Sequence, residues 1–246
     1  MPVGRPRKST YFYILHSPFD IPAFSLVELL AVVAILGLLM AVLMPSLSGA
    51  RRSASSSVCQ SNLRQWAAAT IMYAQNFDGW LPRRGQGAQV TTLINRGDDW
   101  FNALPPLMGQ PSYMELFEQG RVVRPGARSV WMCPSAIEHD GLNYFAYGMN
   151  MRLSIWMTAT PDKIDRVAPP SVQVLFADAP GKYCSVYPSS QPFSPDPRHD
   201  ARLNVAFLDG HVASFQGDYA GCGVGDLKRP ELRWEVPNSP WEGPNP

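Results

Sequence analysis

Residues 24–44 read FSLVELLAVVAILGLLMAVLM, an apolar run in which Glu28 is the only charged side chain. A helix of this length spans roughly 31 Å, about the thickness of the hydrocarbon core of a bilayer. Apolar residues cover every side of that helix, so it lacks the polar stripe of a surface helix. The run therefore predicts a single membrane span, and the alternative is a helix buried in the core of a globular domain.

A cleaved secretory signal is a further alternative for this segment. Such signals carry an apolar stretch of about 7–15 residues followed by small residues at the cleavage site. Here the run is longer, Pro45 follows it, and the next residues match the small-residue pattern poorly. An acidic residue five positions into the run is also atypical of a signal. These features favour an apolar segment that stays on the mature protein.

Residues 23–30, AFSLVELL, resemble the processing site of type IV pilins and type II secretion pseudopilins. In that family a small residue, Phe, Ser or Thr, Leu, Val or Ile, and Glu precede an apolar helix. The resemblance implies cleavage between Ala23 and Phe24 by a prepilin peptidase, with N-methylation of Phe24 and a mature chain of 223 residues. Two features depart from the family: Ala23 replaces the usual Gly, and the leader of residues 1–23 is long, with its basic residues far from the cleavage point.

Glu28 calls for a physical reason, because a charged carboxylate costs about 2.5–3.5 kcal/mol at the middle of a membrane span and less near its end. Cleavage would create an α-amine at Phe24 that is mostly cationic near neutral pH. We expect Glu28 of one subunit to neutralise the amine of a neighbour, since an unpaired buried charge disfavours the wrong register. The alternative is a carboxylate that is solvated at the level of the lipid headgroups.

The orientation of the span is not set by flanking charge, because three cations precede it and three arginines follow within about 20 residues. The family resemblance implies instead that the amino terminus is cytoplasmic and the head periplasmic. The expected location is the bacterial inner membrane, crossed once, with incorporation into a filament as a later step.

Residues 47–77 contain no proline and predict an amphipathic helix. One stripe recurs at spacings of three and four residues: Cys59, Leu63, Trp66, Thr70, Tyr73 and Phe77. The helix should end near Asp78-Gly79, a turn signal. A short helix is expected around residues 113–119, and strands are expected at residues 129–133, 144–150, 153–158 and 172–177.

The expected fold class is α+β. A long amino-terminal helix, membrane-spanning in its first half and amphipathic in its second, packs on a small antiparallel sheet with long irregular loops. The domains are the leader (residues 1–23), the membrane part of the helix (24–44), its amphipathic continuation (45–79), the head (80–216) and a tail rich in Gly and Pro (217–246). Trp234 and Trp241 are candidate anchors of that tail.

His199 is followed, after nine residues, by Asp209-Gly210. With the segments CQSNLRQ and YAQNFDGWLP, this spacing resembles the processing-associated domain found at the carboxyl end of some prepilin-like proteins. Alternating residues before Asp209 predict a strand, and Asp-Gly predicts a tight primed hairpin turn, because Gly adopts positive φ at low cost.

A metal site is the alternative interpretation of this motif. His199, Asp209 and His211, with Asp196 and Asp200 nearby, offer nitrogen and oxygen ligands. Their spacing is not that of a known metal motif, and the turn already explains the Asp-Gly pair. We therefore expect no metal and no cofactor. No G-x-S-x-G, H-E-x-x-H or P-loop pattern occurs, so no enzymatic activity is expected.

Four cysteines follow the span: Cys59, Cys133, Cys184 and Cys222. In the expected topology they face an oxidising compartment, where disulfides persist. Four cysteines allow three complete pairings. The first candidate disulfide joins Cys59 on the helix stripe to Cys133, and the alternative is that some of the cysteines are buried thiols.

The expected function is that of a pilin or pseudopilin subunit, assembled through its amino-terminal helix into a pilus-type filament such as that of type II secretion. The implied partners are a prepilin peptidase, an inner-membrane assembly platform, other pilin or pseudopilin subunits and membrane lipid. A net charge of +1 gives no basis for nucleic-acid binding. The main alternative is a membrane-anchored binding module that does not polymerise. Trp80, Trp100 and Trp156 would serve such a module if they were exposed, although core packing is the expected use of each. A third alternative is an anchored metal-dependent enzyme.

Overall fold

The computed structural model describes residues 25–85, 94–138, 143–154, 162–167, 169–188 and 193–236. The chain divides into two units, residues 1–46 and residues 47–246. The predicted leader and the last ten residues of the predicted tail, including Trp241, lie outside the described residues, as does Trp156.

Helix α1 extends from Leu26 to Asn76 and continues through Pro45. It ends where the sequence predicts, because Asp78 and Gly79 adopt positive φ angles of 51° and 81°. The Gly79 amide donates to the carbonyl of Ala74 at 2.8 Å, which closes the last turn of the helix.

Two short helices follow in the head. Helix α2 is Trp100–Ala103, and α3 is Tyr113–Glu118, where the sequence predicts a short helix. Ser112 and Glu115 form a reciprocal capping box at the start of α3, which satisfies two amides that a helix leaves unpaired. Single 3-10 turns occur at Pro105–Met108, Met151–Leu153 and Ile164–Arg166.

The described strands form one five-stranded sheet of order β3-β1-β2-β4-β5. The strands are β1 (Phe145–Asn150), β2 (Val174–Gly181), β3 (Ser185–Val186), β4 (Arg202–Phe207) and β5 (Val212–Gln216). The predicted strands at residues 144–150 and 172–177, and the hairpin around Asp209-Gly210, are confirmed. The α+β class is confirmed as well.

The sheet is mixed rather than wholly antiparallel, because β3 pairs with β1 in parallel. The chain reverses after β2 and then lies along the far side of β1, so β3 takes the same direction as β1. Gly148 permits this approach, since a Cβ there would lie 2.7 Å from Cγ1 of Val186.

The predicted strand at residues 129–133 is wrong, because this segment forms turns. Its carbonyl groups are hydrogen-bonded to side chains of α1 instead of a neighbouring strand. The Asn62 amide donates to the carbonyls of Ser129 and Met132, and the Trp66 indole donates to that of Val130. Of the strand predicted at residues 153–158, Leu153 lies in a 3-10 turn and residues 155–158 lie outside the described residues.

The second half of α1 packs on the sheet through the predicted stripe. Five of its six members are buried: Cys59, Leu63, Trp66, Thr70 and Tyr73. Phe77 is half exposed and stacks on Tyr73, with ring centroids 4.3 Å apart. Trp66 lies at the centre of this core, edge-on to Trp100 at 5.1 Å and to Trp131 at 4.9 Å.

The tryptophans proposed for ligand contact do not form one exposed set. Trp100 is buried in the core and its indole donates to the carbonyl of Cys184, which confirms the expected core packing of Trp100. Trp80 is half-buried, with the Lys163 ammonium 4.9 Å from its ring centroid. Trp234 is buried, which confirms it as an anchor of the segment after residue 217.

Replacement of Trp66 by Ala should lower the free energy of unfolding of the head by about 3–5 kcal/mol, because it leaves a large cavity and removes the contacts with two other indoles. Denaturant titration of the full chain in detergent measures this difference. Met72→Ala is the matched control on the exposed face of the same helix, and it should change the value by less than about 0.5 kcal/mol. Equal effects of the two substitutions would contradict the assigned packing of α1.

Candidate functional site

The described part of the apolar segment is exposed along its whole length. Fourteen large apolar side chains between Leu26 and Met44 are each at least 47 % exposed. No part of the most apolar 18-residue window is buried, and by length and composition this helix could cross a membrane. The alternative of a helix buried in the core of its own domain is therefore wrong. The predicted cleavage site, Ala23 and Phe24, lies outside the described residues.

Glu28 forms a capping box with Ser25 at the amino-terminal end of α1. The Ser25 amide donates to Oε2 of Glu28 at 2.9 Å, and the Glu28 amide donates to Oγ of Ser25 at 3.2 Å. The sequence contains the Ser-x-x-Glu signature of such a box. The role predicted for Glu28 from the sequence is pairing between subunits, not capping. The carboxylate is thus held at the helix terminus, four positions in sequence from the predicted new amine at Phe24.

His199 and Asp209 lie at opposite ends of β4. Six residues, Arg202–Phe207, form the strand between them, and a strand of that length covers roughly 20 Å. Asp196 pairs with Arg198 and Asp200 with Arg52. The metal set considered as an alternative from the sequence, which would join His199 to Asp209 and His211, is not brought together.

The turn at Asp209-Gly210 differs in type from the predicted one. Gly210 has a φ of 92°, whereas Asp209 is not among the residues with positive φ. The Gly210 amide donates to the carbonyl of Phe207, and the Phe207 amide donates to that of His211, both at 2.9 Å. This is a three-residue loop with glycine at the left-handed position, rather than a two-residue primed turn.

His199 is positioned by a tight turn of its own. Asp200 and Ala201 have φ angles of 53° and 59°, and the backbones of His199 and Arg202 pair across them. The carbonyl of Ala201 also accepts a hydrogen bond from the amide of Gly217 at 2.8 Å. Two successive left-handed residues reverse the chain and place the imidazole under α1.

Four metal-binding side chains meet beneath α1, and their ligand atoms all lie within 4.8 Å of one another. This group, called the four-ligand cluster below, consists of Cys59, Cys133, Asp178 and His199. The first three are 0 % exposed and the fourth is 5 % exposed. They come from α1, the turn segment before Pro134, strand β2 and the turn before β4.

The members of the cluster contact one another directly. Sγ of Cys59 donates to Oδ1 of Asp178 at 3.2 Å, and Sγ of Cys133 lies 3.3 Å from Nε2 of His199. Nε2 of His199 lies 3.8 Å from Oδ2 of Asp178. The sulfurs of Cys59 and Cys133 lie within 4.8 Å of each other.

Polar groups surround the cluster and fix its orientation. The backbone amide of Asn204 donates to Oδ2 of Asp178 at 3.0 Å. This bond lies where the pairing of β2 with β4 ends. The Tyr147 hydroxyl lies 3.3 Å from Sγ of Cys59 and accepts from the side-chain amide of Asn62 at 3.1 Å. The guanidinium of Arg198 is buried beside the cluster and pairs with Asp196 at 2.9 Å.

The cluster has perturbed protonation equilibria. Burial raises the pKa of Asp178 to about 6 although Arg198 opposes it, and burial also raises the pKa of the Cys59 thiol. The neighbouring thiol of Cys59 lowers the pKa of Cys133 to about 5 despite burial. Burial alone would lower the pKa of His199, but its hydrogen bond to Cys133 raises it.

The candidate disulfide partners, Cys59 and Cys133, are neighbours as the sequence predicts, and all four cysteines are free thiols in the structure. A cysteine beside a histidine also has the composition of a nucleophile–base pair. Because Cys133 is fully buried, a substrate cannot reach its sulfur. The geometry of the cluster therefore favours a structural role, in which its members are bonded together, over a catalytic role.

No family model, no curated protein and no solved structure matches this chain. Its function therefore has to follow from its own sequence and geometry.

Asp178, the member that links the cluster to the sheet, was not predicted from the sequence. The sequence feature that points to Asp178 is its position as an acidic residue inside the apolar strand segment VLFADAP. A carboxylate in a buried strand needs a partner. Cys59 and Cys133 were paired from the sequence, but nothing in the spacing indicated that His199 and Asp178 join them.

Ala201→Gly tests the turn that carries His199. Glycine adopts positive φ without the clash that a Cβ causes, so the free energy of unfolding should rise by about 0.5–1 kcal/mol. Ala213→Gly in β5 is the control, and it should lower the value by a similar amount, because glycine weakens a strand. Denaturant titration measures both, and a loss of stability in Ala201→Gly would contradict the assigned backbone.

Proposed function

We propose that this protein is a prepilin-like structural subunit that is held in the bacterial inner membrane by residues 24–44 and assembled through them into a pilus-type filament. A prepilin peptidase would remove residues 1–23, and an assembly platform and other pilin or pseudopilin subunits would be its partners. The observation that carries the proposal is an exposed apolar helix whose single charge, Glu28, is fixed at its amino-terminal end.

The first support is the exposure of the helix. Burial of side chains such as those between Leu26 and Met44 is worth about 1.5–3 kcal/mol each. An uninterrupted apolar surface of this size marks contact with a membrane or with another protein. Lipid covers it in the single subunit, and the same segments of neighbouring subunits cover it in a filament.

The second support is the position of Glu28. An amino-terminal helix end favours a carboxylate, because the unpaired amides carry partial positive charge. The capping box uses one carboxylate oxygen, Oε2, on the Ser25 amide, and a carboxylate has further acceptor capacity. A cationic amine on a neighbouring subunit can therefore pair with Glu28 without breaking the cap.

The third support is the head, which has its own core. Residues 47–246 form a separate compact unit, in which the second half of α1 is covered by the sheet and the segments before it. Such a head can be carried on a membrane helix and displayed on a filament without help from the apolar segment.

Substitution of Glu28 by Gln removes the charge but keeps the helix cap, because Gln also serves in a capping box. We expect Glu28→Gln to lower the yield of crosslinked oligomers from membranes by about tenfold or more, the equivalent of roughly 1.4 kcal/mol. Ser25→Ala is the matched control: it removes the cap, keeps the charge and should leave assembly within about twofold of the unsubstituted protein.

Each variant is first shown by mass to carry the same mature amino terminus, so that a processing defect is not read as an assembly defect. Oligomers of Glu28→Gln at the normal yield would contradict the charge pairing. An unsubstituted protein that forms no oligomers at all would favour the anchored binding module that does not polymerise.

A further inference from the structure

Three separations within the four-ligand cluster are close to those of a tetrahedral metal site. With metal–ligand bonds of about 2.0–2.3 Å, tetrahedral ligands lie roughly 3.3–3.8 Å from one another. The observed separations are 3.2 Å from Sγ of Cys59 to Oδ1 of Asp178, 3.3 Å from Sγ of Cys133 to Nε2 of His199, and 3.8 Å from Nε2 of His199 to Oδ2 of Asp178. The ligand atoms of all four side chains lie within 4.8 Å of one another. An ion at the centre therefore requires only small movements of side chains that already converge.

The imidazole presents the correct atom to the cluster. Nε2 of His199 faces the sulfur of Cys133, while Nδ1 is buried with no hydrogen-bond partner among the described residues. The neutral tautomer with its proton on Nδ1 leaves a lone pair on Nε2, which is the form that binds metals.

Charge also favours a cation at this place. Two thiolates and a carboxylate would bring three negative charges into a site that is closed to solvent, and such charges are retained only when paired or bound to a metal. A divalent ion compensates two of them, and the guanidinium of Arg198, which is 3 % exposed, is buried beside the third.

The ligand types select the ion. Thiolate and imidazole are ligands of zinc and similar transition metals, and four protein ligands with no open position are typical of structural zinc sites. Calcium and magnesium require six or more oxygen ligands, and the cluster offers one carboxylate.

We propose that the four-ligand cluster is a structural binding site for one zinc-class divalent ion. The ion replaces the two thiol protons, which pass to solvent, and forms bonds to both sulfurs, to one carboxylate oxygen and to Nε2 of the imidazole. No redox change is involved. This inference stands independently of filament assembly.

The site would join four parts of the head that are distant in sequence. Cys59 lies on α1, Cys133 lies in a segment that forms turns, Asp178 lies on β2 and His199 precedes β4. A bond among them fixes the helix on the sheet and holds the turn segment, much as a disulfide would, by restricting the unfolded chain.

The test is metal content of the full chain, extracted in detergent with a thiol-free reductant after growth with zinc and dialysed against metal-free buffer. We expect close to one zinc per chain. Cys133→Ser and Asp178→Asn should each reduce zinc occupancy by about tenfold or more. Cys222→Ser is the matched control, because Cys222 is outside the cluster, and it should keep the ion.

Substitution of zinc by cobalt gives a second measurement that does not depend on the folding of the ligand variants. Cobalt loaded into the unsubstituted chain in place of zinc should show the visible absorption of a tetrahedral, thiolate-bound ion. Chelation should remove this absorption and lower the melting temperature. A folded, reduced chain that retains no zinc would overturn the proposal, as would zinc retained equally by both ligand variants.

A Cys59–Cys133 disulfide in protein taken from cells, with no metal bound, would also overturn it. In that case the two thiols have lost two electrons to a periplasmic oxidant and are no longer ligands, and the first pairing considered from the sequence would be the correct one.

Discussion

Contact of the apolar half of α1 with water is energetically unfavourable, and the protein has to avoid it. Fourteen large side chains between Leu26 and Met44 are exposed on a helix whose only charge is Glu28. An uninterrupted apolar surface of this size is typical of a segment that contacts lipid or another protein, and by length and composition this helix could cross a membrane. The proposed membrane anchoring, retention of the segment on the mature chain and side-by-side assembly would each meet that one requirement. The head has a hydrophobic core of its own.

One helix thus carries two surfaces with different patterns. Up to Met44 the apolar residues surround the helix, whereas after Pro45 the buried large apolar residues lie on a stripe that includes Cys59, Leu63 and Trp66. The stripe is covered by the sheet and by the turn segment for which the sequence predicts a strand. Its polar neighbours are as important as its apolar members, since Asn62 holds that segment through its carbonyls and Cys59 reaches the four-ligand cluster.

The sequence predicts those elements whose pattern lies within one short segment of the chain. The period of α1, the alternation in β4 and the turns at Asp78-Gly79 and Asp209-Gly210 each follow from residues close in the chain, and each is confirmed in position. The errors concern contacts between distant segments. The parallel pairing of β3 depends on a missing Cβ at Gly148, and residues 129–133 form turns because side chains of α1 bind their carbonyls. The four-ligand cluster draws on four segments, so spacing within any one of them could not reveal it.

Retention of the apolar helix after removal of the predicted leader is the step on which the proposed anchoring and assembly rest. Amino-terminal sequencing and mass measurement of the membrane-extracted protein test this step. We expect a methylated Phe24 at the terminus and a mature chain of 223 residues. A terminus beyond Pro45, found on protein that is free of the membrane, would show that the segment is a cleaved signal and would contradict both anchoring and assembly.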